Sequence, residues 1–252
     1  PLRMVLRLAA GDLNALVGLF GFAAGVGVGV AFLRRGFSLG RSTRQPQFNG
    51  TVMPALAAAI VVLAVAAPAF IFFSQSGPGS MHAPILISHA AGLIVGILAQ
   101  RARFCMAGGV RDMFIINSPH LLVGSLAILV AAFVLNIIGG SFKLGFVGQP
   151  VAHTDTLWNF LGMGLVGLTA TLLGGCPLRQ CVMSGEGDTD AAITVLGMLV
   201  GAAFAHNFGT AASTAGVPLN GKFAVAIGYA VALAIGYAGL ARTQEGGAAR
   251  VA

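Results

Sequence analysis

Gly174–Phe208, GGCPLRQCVMSGEGDTDAAITVLGMLVGAAFAHNF, joins two unlike kinds of chain. Its first part is polar and broken. Gly174 and Gly175 loosen what precedes them, and Pro177 cannot continue a helix as an interior residue. From Asp190 to Phe208 the chain is apolar over close to the 20 or so residues that a membrane helix needs. The reading is a helix end, a turn, a short re-entrant helix and then a span. A bilayer tolerates such a break only where the backbone lines a cavity or is buried in protein.

The pattern occurs twice. Pro1–Phe32 laid over Pro177–Phe208 matches Pro1/Pro177, Leu2/Leu178, Arg3/Arg179, Gly11/Gly187, Asp12/Asp188, Ala15/Ala191, Gly21/Gly197, Gly25/Gly201 and Phe32/Phe208. Each copy is a Pro-Leu-Arg turn, a short stretch ending Gly-Asp, and a glycine-faced span. Gly18, Gly21, Gly25 and Gly29 fall on one helix face in the first copy, and Gly197, Gly201 and Ala205 do so in the second. Small residues at that spacing let membrane helices approach closely, so both faces are read as packing faces without a substrate role.

Further out, apolar spans are expected at Leu13–Leu33, Val52–Phe73, Pro84–Gln100, His120–Gly139, Thr156–Gly174, Asp190–Phe208 and Lys222–Ala241. Composition agrees: 57% of the 252 residues are hydrophobic and 8% charged, against about 25% charged in a soluble domain. The chain reads as all-α, a polytopic integral membrane protein of about seven spans. Five spans separate the starts of the two copies. The copies should therefore run in opposite directions, an inverted-repeat plan common in transporters. Residues 1–73 are expected to be the remainder of a first repeat and residues 74–252 a second, in one membrane domain. The counterpart of Cys176 would stand before Pro1, so a longer parent protein is expected.

The net charge of +7 comes from 14 Lys and Arg against 7 Asp and Glu. Arg34, Arg35, Arg41 and Arg44 in one acid-free loop give the positive-inside signature of a cytoplasmic face, so no nucleic-acid partner is implied. Alternation then puts the C-terminus inside, with Lys143 and Lys222 outside against the rule.

Polar groups concentrate in two breaks. Gln100–Phe114 reads QRARFCMAGGVRDMF, and Gly174–Asp188 is the break already quoted. Each holds a cysteine, a glycine pair, arginine and acid. Cytoplasmic loops with ordinary positive charge are the plain alternative, and it suits Arg101 and Arg103. An arginine at the bilayer centre costs about 2.5–3.5 kcal/mol on insertion scales, so Arg179 needs a partner or a task. Asp188, Glu186 and Asp112 are the candidate partners. Cys105 and Cys176 are the candidate functional thiols. Cys181, whose repeat mate is Val5, reads as structural. Three cysteines argue against a disulfide framework. No metal-ligand spacing, nucleotide loop or hydrolase motif is present, and no cofactor is implied.

Arg101-Ala-Arg-Phe-Cys105 with Arg111 and Asp112, and Gly174-Gly-Cys-Pro-Leu-Arg179 with Gly185-Glu-Gly187, resemble the YeeE/YedE membrane proteins over most of the chain. The Gly-Cys-Pro-Leu-Arg form is similar to the branch associated with selenium metabolism. The resemblance implies an inner-membrane permease, with thiosulfate as cargo in one branch and a selenium compound in the other. It implies that Cys105 and Cys176 lie on the substrate path. Arg179, Arg103 and Arg111 would supply positive potential for an anion, with Asp112 and Glu186 beside them. A thiol can pass a soft anion onward through its weak S–H donor. The competing reading is a membrane sulfur or selenium transferase, which forms a cysteine persulfide or perselenide and hands it to a cytoplasmic carrier protein.

Overall fold

The computed structural model describes residues 1–40, 46, 50–72, 75, 83–150 and 152–248. Arg41, Arg44 and Arg250 lie outside the described residues. Ten helices are described: α1 Leu2–Ala9, α2 Leu13–Arg34, α3 Val52–Ala66, α4 Ile85–Arg101, α5 Met106–Ile116, α6 His120–Ile138, α7 Thr156–Leu172, α8 Pro177–Gly185, α9 Thr189–Asn207 and α10 Leu219–Ala248. No strand occurs among the described residues, only two isolated bridges. The protein is all-helical and multi-pass.

Among the described residues six stretches are long and apolar enough to cross a membrane: Leu13–Arg34, Ile85–Ile116, His120–Ile138, Thr156–Gly185, Thr189–Asn207 and Leu219–Ala241. The expected span Val52–Phe73 is shorter, a helix of 15 residues that stops at Ala66. Ala67 turns left-handed at φ 43° and Pro68 follows. Proline disfavours helical backbone at the residue before it, which ends α3 there. Ile85–Ile116 contains the first polar break and Thr156–Gly185 the second as far as Gly185, so both cysteines fall inside candidate spans.

The repeat is built the same way twice. α1 closes with Gly11 left-handed at φ +96°, Gly11 N donating to Leu8 O and Asp12 N to Arg7 O. α8 closes with Gly187 at φ +86°, Gly187 N donating to Ser184 O and Asp188 N to Met183 O. Both are Schellman stops, in which a residue without a β-carbon turns the chain and satisfies the last carbonyls. The next residue then caps the following helix. Asp12 Oδ1 accepts from Asn14 N at 2.9 Å, and Asp188 Oδ1 from Ala191 N at 2.9 Å. Such a cap contributes about 1 kcal/mol.

The chain divides into two compact units. The first comprises Pro1–Gly40, Cys105–Cys176 and Val200–Ala252. Its centre is the pairing of α2 with α7, made backbone to backbone. A β-carbon on Gly21 would land on the carbonyl of Phe160, one on Gly25 on the carbonyl of Gly164, and one on Gly167 on the carbonyl of Phe22. Phe22, Val26 and Leu168 are sealed between them. Phe32, Phe37, Leu172 and Ala232 extend the core toward α10, and Tyr229 Oη ties α10 to α7 by donating to Leu161 O at 2.9 Å.

A polar knot holds the α1–α2 turn. Arg7 and Asp12 form an ion pair, with Nε donating to Oδ2 at 2.7 Å. The 140–150 loop lies over it: Lys143 N donates to Ala10 O, Gly145 N to Gly11 O and Leu13 N to Gly145 O. Asn14 Nδ2 completes the knot with Phe146 O at 2.7 Å. Of the two lysines expected outside, Lys143 Nζ donates to Gly148 O at 3.0 Å, and Lys222 Nζ stands 5.6 Å from the centre of the Trp158 ring.

The second unit comprises Arg41–Phe104 and Pro177–Leu199. In it the short α8 packs against α3 and α4. Gly187 comes close to the main chain of Gly50, so a β-carbon there would stand 3.3 Å from Gly50 Cα.

Candidate functional site

Each cysteine stands where a span stops and a short helix begins. α4 ends in a Schellman turn at Arg103, left-handed at φ +49°, with Phe104 N donating to Ala99 O and Arg103 N to Gln100 O. Cys105 follows, extended at φ −151°, as the N-cap of α5. α7 ends in the same turn at Gly174, φ +81°, with Gly175 N donating to Ala170 O and Gly174 N to Thr171 O. Cys176 follows, and Pro177 opens α8 at the position where its missing N–H costs nothing. The two breaks, alike in composition, are also one device: a turn that closes its own hydrogen bonds, then a cysteine at a helix start.

Both thiols belong to the first unit, are buried at 6% and 2% exposure, and meet. Cys105 Sγ accepts Gly108 N at 3.2 Å and Cys176 N at 3.3 Å. The Cys176 thiol is also close enough to interact with it directly. Two amide donors on one sulfur fill its acceptor side and leave the S–H to point elsewhere. Gly108 permits this crowding, since a β-carbon there would stand 3.4 Å from Cys105 Sγ and 3.2 Å from Leu121 Cδ1. Sequence reasoning placed the two cysteines in separate breaks. It missed Gly108 as a donor, although a cysteine three residues before a glycine at a helix start has N-cap spacing.

The charged candidates are distributed. Arg111 is half-buried and pairs with its neighbour Asp112, Nη2 to Oδ1 at 2.9 Å and Nε to Oδ1 at 3.0 Å. Arg103 is exposed on its turn. Within the second unit, Arg179 Nη1 stands 3.9 Å from Glu186 Oε1. Glu186 also takes a long contact of 3.5 Å from Gln100 Nε2. Of the three acids considered for Arg179, Glu186 is the one beside it. Arg179 Nη1 is buried and has no hydrogen-bond acceptor among the described residues. Cys181 is exposed. No cluster of three or more metal-ligating side chains occurs among the described residues.

Arg34 has a role that its loop position did not suggest. Its Nη2 donates to Phe114 O at 2.5 Å, capping the last turn of α5 with positive charge.

A family model described as sulphur transport matches residues 101–246, more than half of the chain and both cysteine breaks. The chain belongs to the sulphur transport family. Over 110 residues it is 32% identical to the thiosulfate transporter TsuA of Escherichia coli (strain K12), covering 42% of this chain and 30% of that protein. The chain thus matches less than a third of the length of that relative. No solved structure matches. In this sulphur transport family member, the matched region contains the whole thiol pair and the helix starts that hold it.

Proposed function

We propose that this chain forms part of an inner-membrane permease for a small sulfur oxyanion, thiosulfate first, with Cys105 and Cys176 as adjacent stations on its path. The observation that carries the reading is the buried thiol pair, Cys176 N to Cys105 Sγ at 3.3 Å, inside candidate membrane spans. The sulphur transport family and the similarity to a thiosulfate transporter support the cargo class. A selenium analogue of similar size is the cargo implied by the Gly-Cys-Pro-Leu-Arg form.

The chemistry suits a soft anion. A thiol donates weakly, so its S–H can hold the terminal sulfur of an intact thiosulfate ion and pass the whole anion to the next thiol without trapping it. Each cysteine begins a helix, whose dipole favours negative charge, as at broken helices in other transporters. Arg179, whose Nη1 is buried and 3.9 Å from Glu186, is a source of positive potential for an anion within the second unit, while in the first unit Arg111 is matched by Asp112. The C-terminus would lie on the cytoplasmic side, and a cytoplasmic sulfur or selenium carrier is a partner at that face.

The test is uptake of labelled thiosulfate and labelled selenite into proteoliposomes holding the intact natural protein and its Cys176→Ser variant. Saturable uptake that disappears in the variant is expected. Undiminished uptake in both Cys176→Ser and Cys105→Ser defeats the thiol path. A cargo-dependent mass gain of a sulfur or selenium atom on either cysteine during turnover would replace it with the transferase reading.

A further inference from the structure

The thiol pair has a capacity that anion transport does not use. Cys105 and Cys176 are both buried, belong to one compact unit, and have thiols close enough to interact directly. Each is fixed by its own main chain. Cys105 caps α5 by accepting Gly108 N at 3.2 Å. Cys176 leaves the closed turn that ends α7, where Gly175 N donates to Ala170 O, and its amide binds Cys105 Sγ at 3.3 Å. Thiols brought together from distant parts of the sequence and held this way are preorganised as ligands.

What they can hold follows from the donor set. Among the described residues no third Cys, His, Asp or Glu joins the pair. Zinc, calcium and magnesium each need a larger ligand shell than a pair of side chains supplies. Soft thiolates suit copper(I), a closed-shell ion for which a pair of sulfurs is a sufficient shell, and silver(I) shares that chemistry.

The amides fit the charge. A thiolate sulfur has three lone pairs. On Cys105 the amides of Gly108 and Cys176 point at the sulfur already and leave the pair that carries the proton in the free thiol. Binding breaks both S–H bonds, forms a metal–sulfur bond on each side and releases both protons to solvent, with no electron transferred. The resulting bis-thiolate complex carries a single negative charge. Hydrogen bonds from N–H groups to an anionic sulfur strengthen, and the positive end of α5 faces the same atom.

We propose that Cys105 and Cys176 form a binding site for a soft, closed-shell monovalent cation, copper(I) or silver(I), coordinated by sulfur alone. With the cation in place neither sulfur has an S–H to offer an anion, so the cation blocks the path, a consequence that rests on the transport reading. Binding itself needs no cargo.

The experiment uses the intact natural protein in detergent, reduced, freed of reductant and kept anaerobic. Copper(I) is offered as its bathocuproine disulfonate complex, and the metal retained after desalting is measured by elemental mass spectrometry. The natural protein should retain about one copper(I) per polypeptide more than either Cys105→Ser or Cys176→Ser. Cys181→Ser, which removes an exposed thiol, should retain as much as the natural protein. X-ray absorption on the unsubstituted, copper-loaded protein should show a first shell of sulfur without nitrogen or oxygen, and it needs no variant to fold. Equal retention by the natural protein and either of the first two variants overturns the proposal. So does a first shell containing nitrogen or oxygen, or loss of the metal in Cys181→Ser. No thiosulfate is present, so a failure here and a failure of the uptake test are read separately.

Discussion

The amide of Cys176 donates to the sulfur of Cys105 at 3.3 Å, across 71 residues of chain. One thiol thus serves as the capping acceptor for its own helix and for the turn that carries the other thiol. Structure and proposed transport share a single sulfur atom, and substitutions can separate them. Cys105→Ser keeps an acceptor for both amides. Cys105→Ala leaves two buried N–H groups unmet, at about 1–3 kcal/mol each. The expected result is that both variants lose uptake at least about tenfold, while only the alanine variant shows a clear drop in detergent melting temperature.

Gly108 is expected to tune the site without holding the fold. Its added β-carbon would sit 3.2 Å from Leu121 Cδ1 and 3.3 Å from Cys105 Cβ, so the leucine end or the cysteine side chain must give by a few tenths of an ångström. Gly108→Ala should cost less than about 1.5 kcal/mol of stability and reduce uptake several-fold. Equal loss of both, read from melting and initial rates on the same preparation, would contradict that.

The α2–α7 contact allows a sharper stability prediction. A methyl on Gly25 would occupy the position of the Gly164 carbonyl. Gly25→Ala is expected to destabilise by about 1–3 kcal/mol. Gly92→Ala on α4, where nothing lies within 4 Å, should leave stability unchanged or raise it slightly. Thermal aggregation of the two purified variants distinguishes them directly.

At the polar knot, Asp12 has two tasks: it caps α2 and neutralises Arg7. Asp12→Asn keeps the cap and loses the charge. Asp12→Ala loses both and leaves a largely buried guanidinium without its partner, at about 3–5 kcal/mol. The double change Arg7→Met with Asp12→Asn should recover most of the loss, since Met183 occupies the equivalent place beside Asp188 in the second copy. Chemical denaturation of the three variants orders them.

The helices were legible because membrane spans declare themselves by length and apolarity, and six of the seven expected spans match described helices of membrane-crossing length. Val52–Phe73 was overlong because composition alone does not register the backbone restriction that Pro68 places on Ala67. The Gly-Asp pairs were legible as turns, since Gly11 and Gly187 precede a capping residue. The partners of those turns were not. Nothing local announces that Gly145 pairs with Gly11, or that Cys176 donates to Cys105. Long-range pairings are set by tertiary packing, so nothing local to Gly21 announces that α7 covers it. The ion pair of Arg111 with Asp112 joins residues that already stand side by side in the sequence.

The Schellman stop, found where α1, α4, α7 and α8 end, closes the hydrogen bonds of each of these turns on its own backbone. Duplication of such a junction copies its stability without copying its use. Side chains inside α1 and α8 are thereby released from any duty to hold the turn, and the two copies have used that freedom differently. Arg7 became a fastening in one, while Met183 left the same place in the other uncharged. A turn that closes on its own backbone can thus recur along a chain while the side chains beside it take up separate tasks.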